Sequence, residues 1–472
     1  MIIKIYPFMI FIILVGCQVG PTYQSPNPYA PKEWKHKAAS SIETQESLCN
    51  WWEVFKDETL NDLELQALAN NQNLYAAMER VFEARALAQA ALSNLYPQIS
   101  LPPSYSNQDV LAKLFGAKPP TPAFLREHQI TNLLPLSVTY EVDLWGMLYS
   151  NFQAAYYYAE SQDAAFRAAL LTLTADLADS YFRLRILDAK IDLYRNTVDT
   201  RKIALEINQA RYQMMLDDYE SVSRAALDLT NVEADYFEAI RQRDIEENRI
   251  ALLIGAPASD FNLPHSPLDI APPDIPAGIP SDVLLQRPDI AAAERLRASE
   301  NAQIRVAYAA FFPSFSLTAA LGFSSPDLKH FLTWKSRYWA LGGALNQSLF
   351  DGGQRLANLE LACAHFREAD DVYQQQVLAA FQEVEDSLGN IEQYYKQAEK
   401  LSDSVGSAGT TYAIARDRYS QGVTLYLDVV DSERDLLNAQ RSLLTVEGLR
   451  FSSTIHLIKA LGGMWQNNVR TP

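Results

Sequence analysis

The sequence predicts an α+β membrane protein, built as two internal repeats in which two-faced strands are followed by very long helices. Three observations predict it. In LPLSVTYEVDLW (residues 134–145), Leu134, Leu136, Val138, Tyr140, Val142 and Leu144 alternate with Ser137, Thr139, Glu141 and Asp143. That period of two is a strand with one apolar and one polar face. From Met147 to Ile254 there is neither Gly nor Pro, a helical composition. Landmarks then recur at a fixed spacing: Arg211 and Arg418, Tyr212 and Tyr419, Tyr219 and Tyr426, Val222 and Val429, and Gly255 and Gly462 each differ by 207.

The chain begins MIIKIYPFMIFIILVGC. Lys4 precedes an apolar run from Phe8 to Val15, too short to span a bilayer and suited to a signal peptide over residues 1–16. Leu14-Val15-Gly16-Cys17 resembles the bacterial lipobox, which implies cleavage before Cys17 and covalent diacylglycerol and N-acyl lipid on that residue. Gln18 stands where an Asp would retain a lipoprotein in the inner membrane, so the expected destination is the outer membrane. Residues 17–58 are the lipid-anchored N-terminal segment. No other segment is long and apolar enough for a membrane helix.

Residues 59–255 form the first repeat, with strands expected at about 99–108 and 132–145. The Pro-rich AKPPTP (117–122) reads as a loop between them. Met147–Gln213 follows as a helix of roughly 100 Å at 1.5 Å per residue. A helix of that length packs along other helices, and Leu170, Leu173, Leu177 and Tyr181 supply a seam. Residues 256–288 carry eight prolines and read as an extended linker. The second repeat, 289–463, has strands expected at about 314–325 and 337–350, and no proline from Asp327 to Thr471. A short tail, 464–472, closes the chain.

Each strand has about the ten residues a tilted strand needs to cross a bilayer. The apolar faces then meet lipid and the small, hydroxylated faces meet water. Four strands cannot close a barrel, and an open edge in hydrocarbon leaves backbone groups unpaired. Several chains must therefore share one barrel. The alternative is a soluble four-stranded sheet packed on helices.

Net charge is −17, which argues against a nucleic-acid partner. Cys17, Cys49 and Cys363 give no disulfide framework, and Cys363 with His365 are two ligands short of a metal site. No G-x-S-x-G, H-E-x-x-H or Walker-type sequence occurs, so no enzymatic activity is expected.

LLQRPDIAAAERLRASENAQIRVAYAAFFPSFSLTAALGFSS (284–325) strongly resembles the TolC-like outer-membrane efflux factors, in particular the lipid-anchored (NodT-type) branch that serves resistance–nodulation–division pumps. EVDLWG, LFDGGQ, YLDVVDSERDLLNAQ and VGPTYQSP resemble the same family. The resemblance implies a homotrimer with a 12-stranded outer-membrane β-barrel, four strands per chain, continued by a long periplasmic α-helical barrel. It implies a periplasmic adaptor (membrane fusion) protein and an inner-membrane resistance–nodulation–division pump as partners, with outer-membrane lipid around the barrel and no cofactor beyond the lipid on Cys17. The function implied is a passive conduit for small molecules. The alternatives are an exit duct for secreted protein or polysaccharide, and a soluble coiled-coil scaffold.

Asp428 and Asp431, three apart on one helical face, match tip residues that ring the periplasmic entrance in the family. Tyr419 matches an aromatic residue that holds closed tips together, and Gly422 fits the tip turn. The first-half tip departs from the family: Met215 stands for a usual Gly and Ser221 for an acidic residue, with Asp217, Asp218 and Glu220 close by as substitutes.

Overall fold

A computed structural model describes residues 18–36, 50–113, 124–268, 270–275, 280 and 286–463, including their side chains except at 109–113 and 124–129. The expected signal peptide (residues 1–16), Cys17, Cys49, the expected AKPPTP loop and the expected tail lie outside the described residues. The chain divides into two compact units. One comprises Met1–Pro26, Val81–Gln162 and Ala293–Tyr373; the other comprises Asn27–Arg80, Asp163–Ala292 and Gln374–Pro472. Each unit thus draws on both halves of the sequence.

The first unit contains the sheet. Its strands are β1 (Gln98–Ser100), β2 (Ser104–Lys113), β3 (Phe124–Val142), β4 (Ser314–Ser325) and β5 (Arg337–Asn346), all paired antiparallel. β1 and β2 lie in succession along one edge of β3, whose other edge pairs with β4, and β4 pairs with β5. The single strand expected at 99–108 is therefore two, because Pro102 and Pro103 have no N–H to give the ladder. β3 starts eight residues earlier than 132 and stops at Val142, where the Asp143 carboxylate turns to accept the Tyr149 N–H at 2.8 Å and caps the next helix. β5 stops at Asn346 rather than 350, and Asp351 likewise accepts the N–H groups of Gly353 and Arg355.

The register sorts the sheet into two chemistries. Ile99, Val138, Ala319 and Leu341 lie side by side across the strands, and so do Leu136, Leu321 and Trp339. The intervening rows are Gln98, Thr139, Thr318 and Gly342, and Ser100, Ser137, Ala320 and Ala340. Directly paired residues share a face and successive residues alternate, so one face is apolar and the other small and polar. On the apolar face Ile99, Leu321, Trp339, Leu341 and Leu345 are all exposed. Among the described residues β5 pairs only with β4, and β1 and β2 only with β3, which leaves two unpaired edges.

The helices are α1 (Glu58–Asn70), α2 (Gln72–Ser93), α3 (Met147–Gln213), α4 (Tyr219–Leu253), α5 (Pro288–Ala309), α6 (Gln354–Ser420) and α7 (Tyr426–Ala460). α3 and α6 have 67 residues each, α4 and α7 have 35 each, and the members of each pair start 207 residues apart.

The second unit has an aromatic core. Phe182 and Phe451 stack at 4.5 Å between centroids, with Phe55 4.7 Å from Phe182. Trp51 and Trp52 enter on a 3-10 turn, and Trp51 Nε1 donates to Thr174 Oγ1 at 3.1 Å. Each such ring contributes roughly 1.5–3 kcal/mol by burial. In the RPD passage, Arg287 is buried and bonds Asp289 and Glu383 at 2.6 Å each and the Ala460 carbonyl at 3.1 Å, tying α5 and α6 to the end of α7.

Glu64 on α1 is 0% exposed, and neither carboxylate oxygen has a hydrogen-bond partner. Burial holds its pKa well above the ordinary carboxylate value. A carboxyl whose folded-state pKa is raised stabilises the fold fully below its unfolded value, and that stability is lost as pH rises through the folded value. The melting temperature of the wild-type chain should fall as pH rises from 4.5, and Glu64→Gln should flatten the dependence. The difference, on the order of 1–3 kcal/mol for an unsatisfied buried group, is read from melts of both proteins across pH. Parallel curves would show that Glu64 is not the group titrating.

Candidate gating site

α3 joins α4, and α6 joins α7, through turns of one design. Met215 N donates to Tyr212 O and Leu216 N to Arg211 O, both at 2.9 Å; Gly422 N donates to Tyr419 O and Val423 N to Arg418 O, also both at 2.9 Å. These paired bonds end a helix on a residue in the left-handed region. Gly422 has φ +72 and Met215 φ +60. Glycine suits that conformation, whereas a residue with a Cβ pays roughly 1–2 kcal/mol. Met215 is 93% exposed, so no packing offsets the strain. Met215→Gly should therefore stabilise the chain by about 0.5–1 kcal/mol, less than the strain itself because Gly has more unfolded-state freedom to lose. Chemical denaturation checks this; a loss of stability would mean that the side chain is held by a contact.

Beyond each turn the two tips carry the same bridge with its chemistry reversed. In the first, Ser221 Oγ donates to Asp217 Oδ1 at 3.0 Å. In the second, at positions 207 further on, Thr424 Oγ1 donates to Asp428 Oδ2. The acid missing at Ser221 has moved to Asp217. Asp218 caps α4 by accepting the Ser221 N–H at 3.1 Å, and Glu220 pairs with Arg224 at 2.7 Å. Asp431 is half-buried and pairs with Arg434 at 2.6 Å, while Asp428 is exposed in the first turn of α7, where a negative charge suits the helix dipole. The acids of the first tip are thus tied up locally, and Asp428 in the second tip is exposed while it accepts from Thr424.

Tyrosine pairs repeat as well. Tyr212 and Tyr219 stand 5.5 Å apart, and so do Tyr419 and Tyr426. The first pair is exposed; in the second Tyr419 is half-buried and Tyr426 buried. Tyr419 OH donates to Asn208 Oδ1 at 3.2 Å, and the Arg211 guanidinium lies 5.1 Å from its ring centre, so the second tip is fastened to α3. Burial raises the Tyr419 pKa and pushes that of Tyr426 up to about 12, so both hydroxyls keep their protons at neutral pH.

Sequence reasoning missed the charge at the centre of this region. Arg201 on α3 is buried, with Nη1 3.5 Å from Asp228 on α4 and 3.4 Å from Glu433 on α7. Burial raises the pKa of both carboxyls, and Arg201 opposes it. One cation thus joins three helices. Position 408, which lies 207 residues after Arg201, is Ala, so the recurring spacing carries no signal for it. Among the described residues no group of three His, Cys, Asp or Glu is placed to hold a metal, and His365 pairs with Glu368 at 3.6 Å rather than with Cys363.

The family model for the outer membrane efflux protein matches residues 64–256 and 279–463, most of the chain and both tips. The chain belongs to the outer membrane efflux protein family. It is 31% identical to the solvent efflux pump outer membrane protein SrpC of Pseudomonas putida over 471 residues, covering 98% of each chain. It is 28% identical to the cation efflux system protein CusC of Escherichia coli O6:H1, covering 98% of this chain and 99% of that one. The crystal structure of the Campylobacter jejuni CmeC outer membrane channel superposes with a TM-score of 0.88 at 27% identity, covering 96% of each chain. This efflux protein is accordingly an outer-membrane channel of bacteria, and the family is one of transport conduits rather than catalysts. The resemblance read from its motifs is correct at that level.

Proposed function

We propose that three copies of this efflux protein each give four strand positions to a single twelve-stranded outer-membrane barrel, that their helices continue it as a periplasmic tube, and that the assembly passes small molecules outward from a pump. The observation that carries this is the sheet: one apolar, exposed face and two unpaired edges. In hydrocarbon both edges must be paired, and in a ring of copies the β5 edge of one meets the β1 and β2 edge of the next. The equal helix lengths support an internal duplication in which each repeat contributes two strand positions and one helical hairpin. Cys17 carries the lipid anchor in this reading, and Asp428, Asp431, Tyr419 and Gly422, with Asp217, Asp218 and Glu220 in the first tip, line the periplasmic gate. SrpC is named for a solvent efflux pump and CusC for a cation efflux system, which supports a tripartite assembly with an adaptor and an inner-membrane resistance–nodulation–division pump.

The test is reconstitution of the purified protein. Native mass spectrometry should give three chains per particle, and planar bilayers should show stepwise ionic conductance. A water-dispersible single chain without conductance would overturn the reading.

A further inference from the structure

Four arginines are buried among the described residues: Arg185, Arg201, Arg287 and Arg305. The first three each face a carboxylate. Arg305, on α5, is 6% exposed and makes no hydrogen bond or ion pair with any described residue; its Nε is buried without a partner. Burial lowers its pKa, and the groups that oppose the shift are the Tyr157 and Tyr149 phenols, with no carboxylate among them. Arginine nevertheless stays charged in proteins. In a chain of net charge −17, a buried cation without an anion is an unfilled requirement.

Its surroundings identify the missing anion. Arg305 lies nine residues before Ser314, the first residue of β4. Tyr149, Phe152, Tyr156 and Tyr157, on the first turns of α3 after β3, form a continuous row with ring centres 6.0–6.3 Å apart. Such aromatic rows sit at the headgroup level of membranes. The N-terminal segment runs directly over the site. Val19 N donates to Trp145 O at 3.2 Å, Gln18 Nε2 donates to Ser150 Oγ at 3.2 Å and Gln153 Oε1 at 3.0 Å, and Gly20, with φ +96, lies so close that a Cβ there would be 3.0 Å from Arg305 Cγ. Cys17, the lipid-bearing residue in the proposed reading, precedes Gly20 by three residues in the chain.

We propose that Arg305 seats the phosphate of a phospholipid headgroup, with the Tyr149 and Tyr157 phenols beside it. A guanidinium matches phosphate oxygens in a planar, charge-assisted geometry, and anionic headgroups are drawn to basic sites at the membrane boundary. The site gives the N-terminal anchor a second hold on the membrane, non-covalent and specific. The proposal rests on the reading of the strands as membrane-spanning, which places Arg305 at the boundary.

The experiment is native mass spectrometry of the full chain in detergent, titrated separately with phosphatidylglycerol, with phosphate-free diacylglycerol and with inorganic phosphate, for the wild type, Arg305→Gln and Arg305→Lys. The wild type should bind phosphatidylglycerol about tenfold or more tighter than Arg305→Gln. Arg305→Lys should fall between them, diacylglycerol should not bind, and millimolar phosphate should not displace the lipid. Equal lipid binding by wild type and Arg305→Gln overturns the proposal. Displacement by inorganic phosphate at the lipid's own concentration overturns the lipid source. An Arg305→Gln chain that keeps its lipid and loses its oligomeric state assigns the cation to a neighbouring copy's carboxylate instead. Bilayer conductance of the same samples separates the two readings: a conducting wild type whose lipid binding ignores Arg305 sinks this proposal and leaves the barrel standing.

Discussion

Arg201→Ala should cost about 3 kcal/mol and loosen the periplasmic tip. The substitution removes the cation that pairs with both Asp228 and Glu433, and leaves two carboxylates near each other and the buried Tyr426, with Arg224, Arg416 and Arg434 acting from farther away. Removing one member of a buried pair typically costs ~3–5 kcal/mol. The lower end applies here, because Asp228 keeps 19% exposure and the 3.4–3.5 Å separations are ion pairs without hydrogen bonds through Nη1. Two further results follow from the same physics. Burial has raised the pKa of both carboxyls, so in Arg201→Ala stability should increase as pH falls through those raised values, and the deficit should be smaller at pH 5 than at pH 8. The triple variant Arg201→Met, Asp228→Leu, Glu433→Leu should recover most of the loss, since an apolar set avoids the desolvation of all three charges. Thermal melts of the single and triple variants decide the energetics. Single-channel recording decides the function: if the tip forms the proposed gate, the channel should conduct more when this cation is absent. Unchanged melting and conductance would reduce Arg201 to a passive core residue.

Asp428→Ala combined with Asp431→Ala should raise single-channel conductance and reduce cation preference by roughly two- to fivefold in 0.1 M salt. In the trimeric reading the pair contributes six negative charges around one narrow entrance. Asp428 is exposed and Asp431 is partly neutralised by Arg434, so Asp428→Ala alone should account for most of the change in selectivity. The effect should fade toward 1 M salt, where the screening length drops to about 3 Å. Reversal potentials under a salt gradient measure it. Selectivity that is identical in wild type and the double variant would take these residues out of the conduction path. The same measurement on Asp217→Ala should show little change, because Asp217 is engaged by Ser221 and lies near Arg211.

The strands and helices were legible because their signals are local. Period-two alternation from Leu134 to Leu144 states which residues share a face without reference to any partner, and the absence of Gly and Pro from Met147 to Ile254 states that nothing interrupts the helix. The constant spacing of 207 matches helices that start 207 residues apart and have equal lengths in the structure. Family motifs added the chain's class and pointed to the tips. Pro102 and Pro103 break the ladder between β1 and β2, yet alternation continues through the flanking residues, so periodicity alone reads one strand there.

What the sequence determined by itself, then, was everything set by neighbours along the chain: strand faces, helix lengths, the turn glycine and its Met215 counterpart. Only the tertiary structure decided which residues far apart in the chain would meet. Arg201, Asp228 and Glu433 are separated by 27 and 205 residues, and their meeting depends on the rotational phase at which three helices pack. The isolation of Arg305 is decided in the same way, by what the fold leaves absent around it. Periodicity records the face on which a side chain lies, whereas charge compensation depends on what the fold brings opposite that face, and a single sequence carries the first without the second.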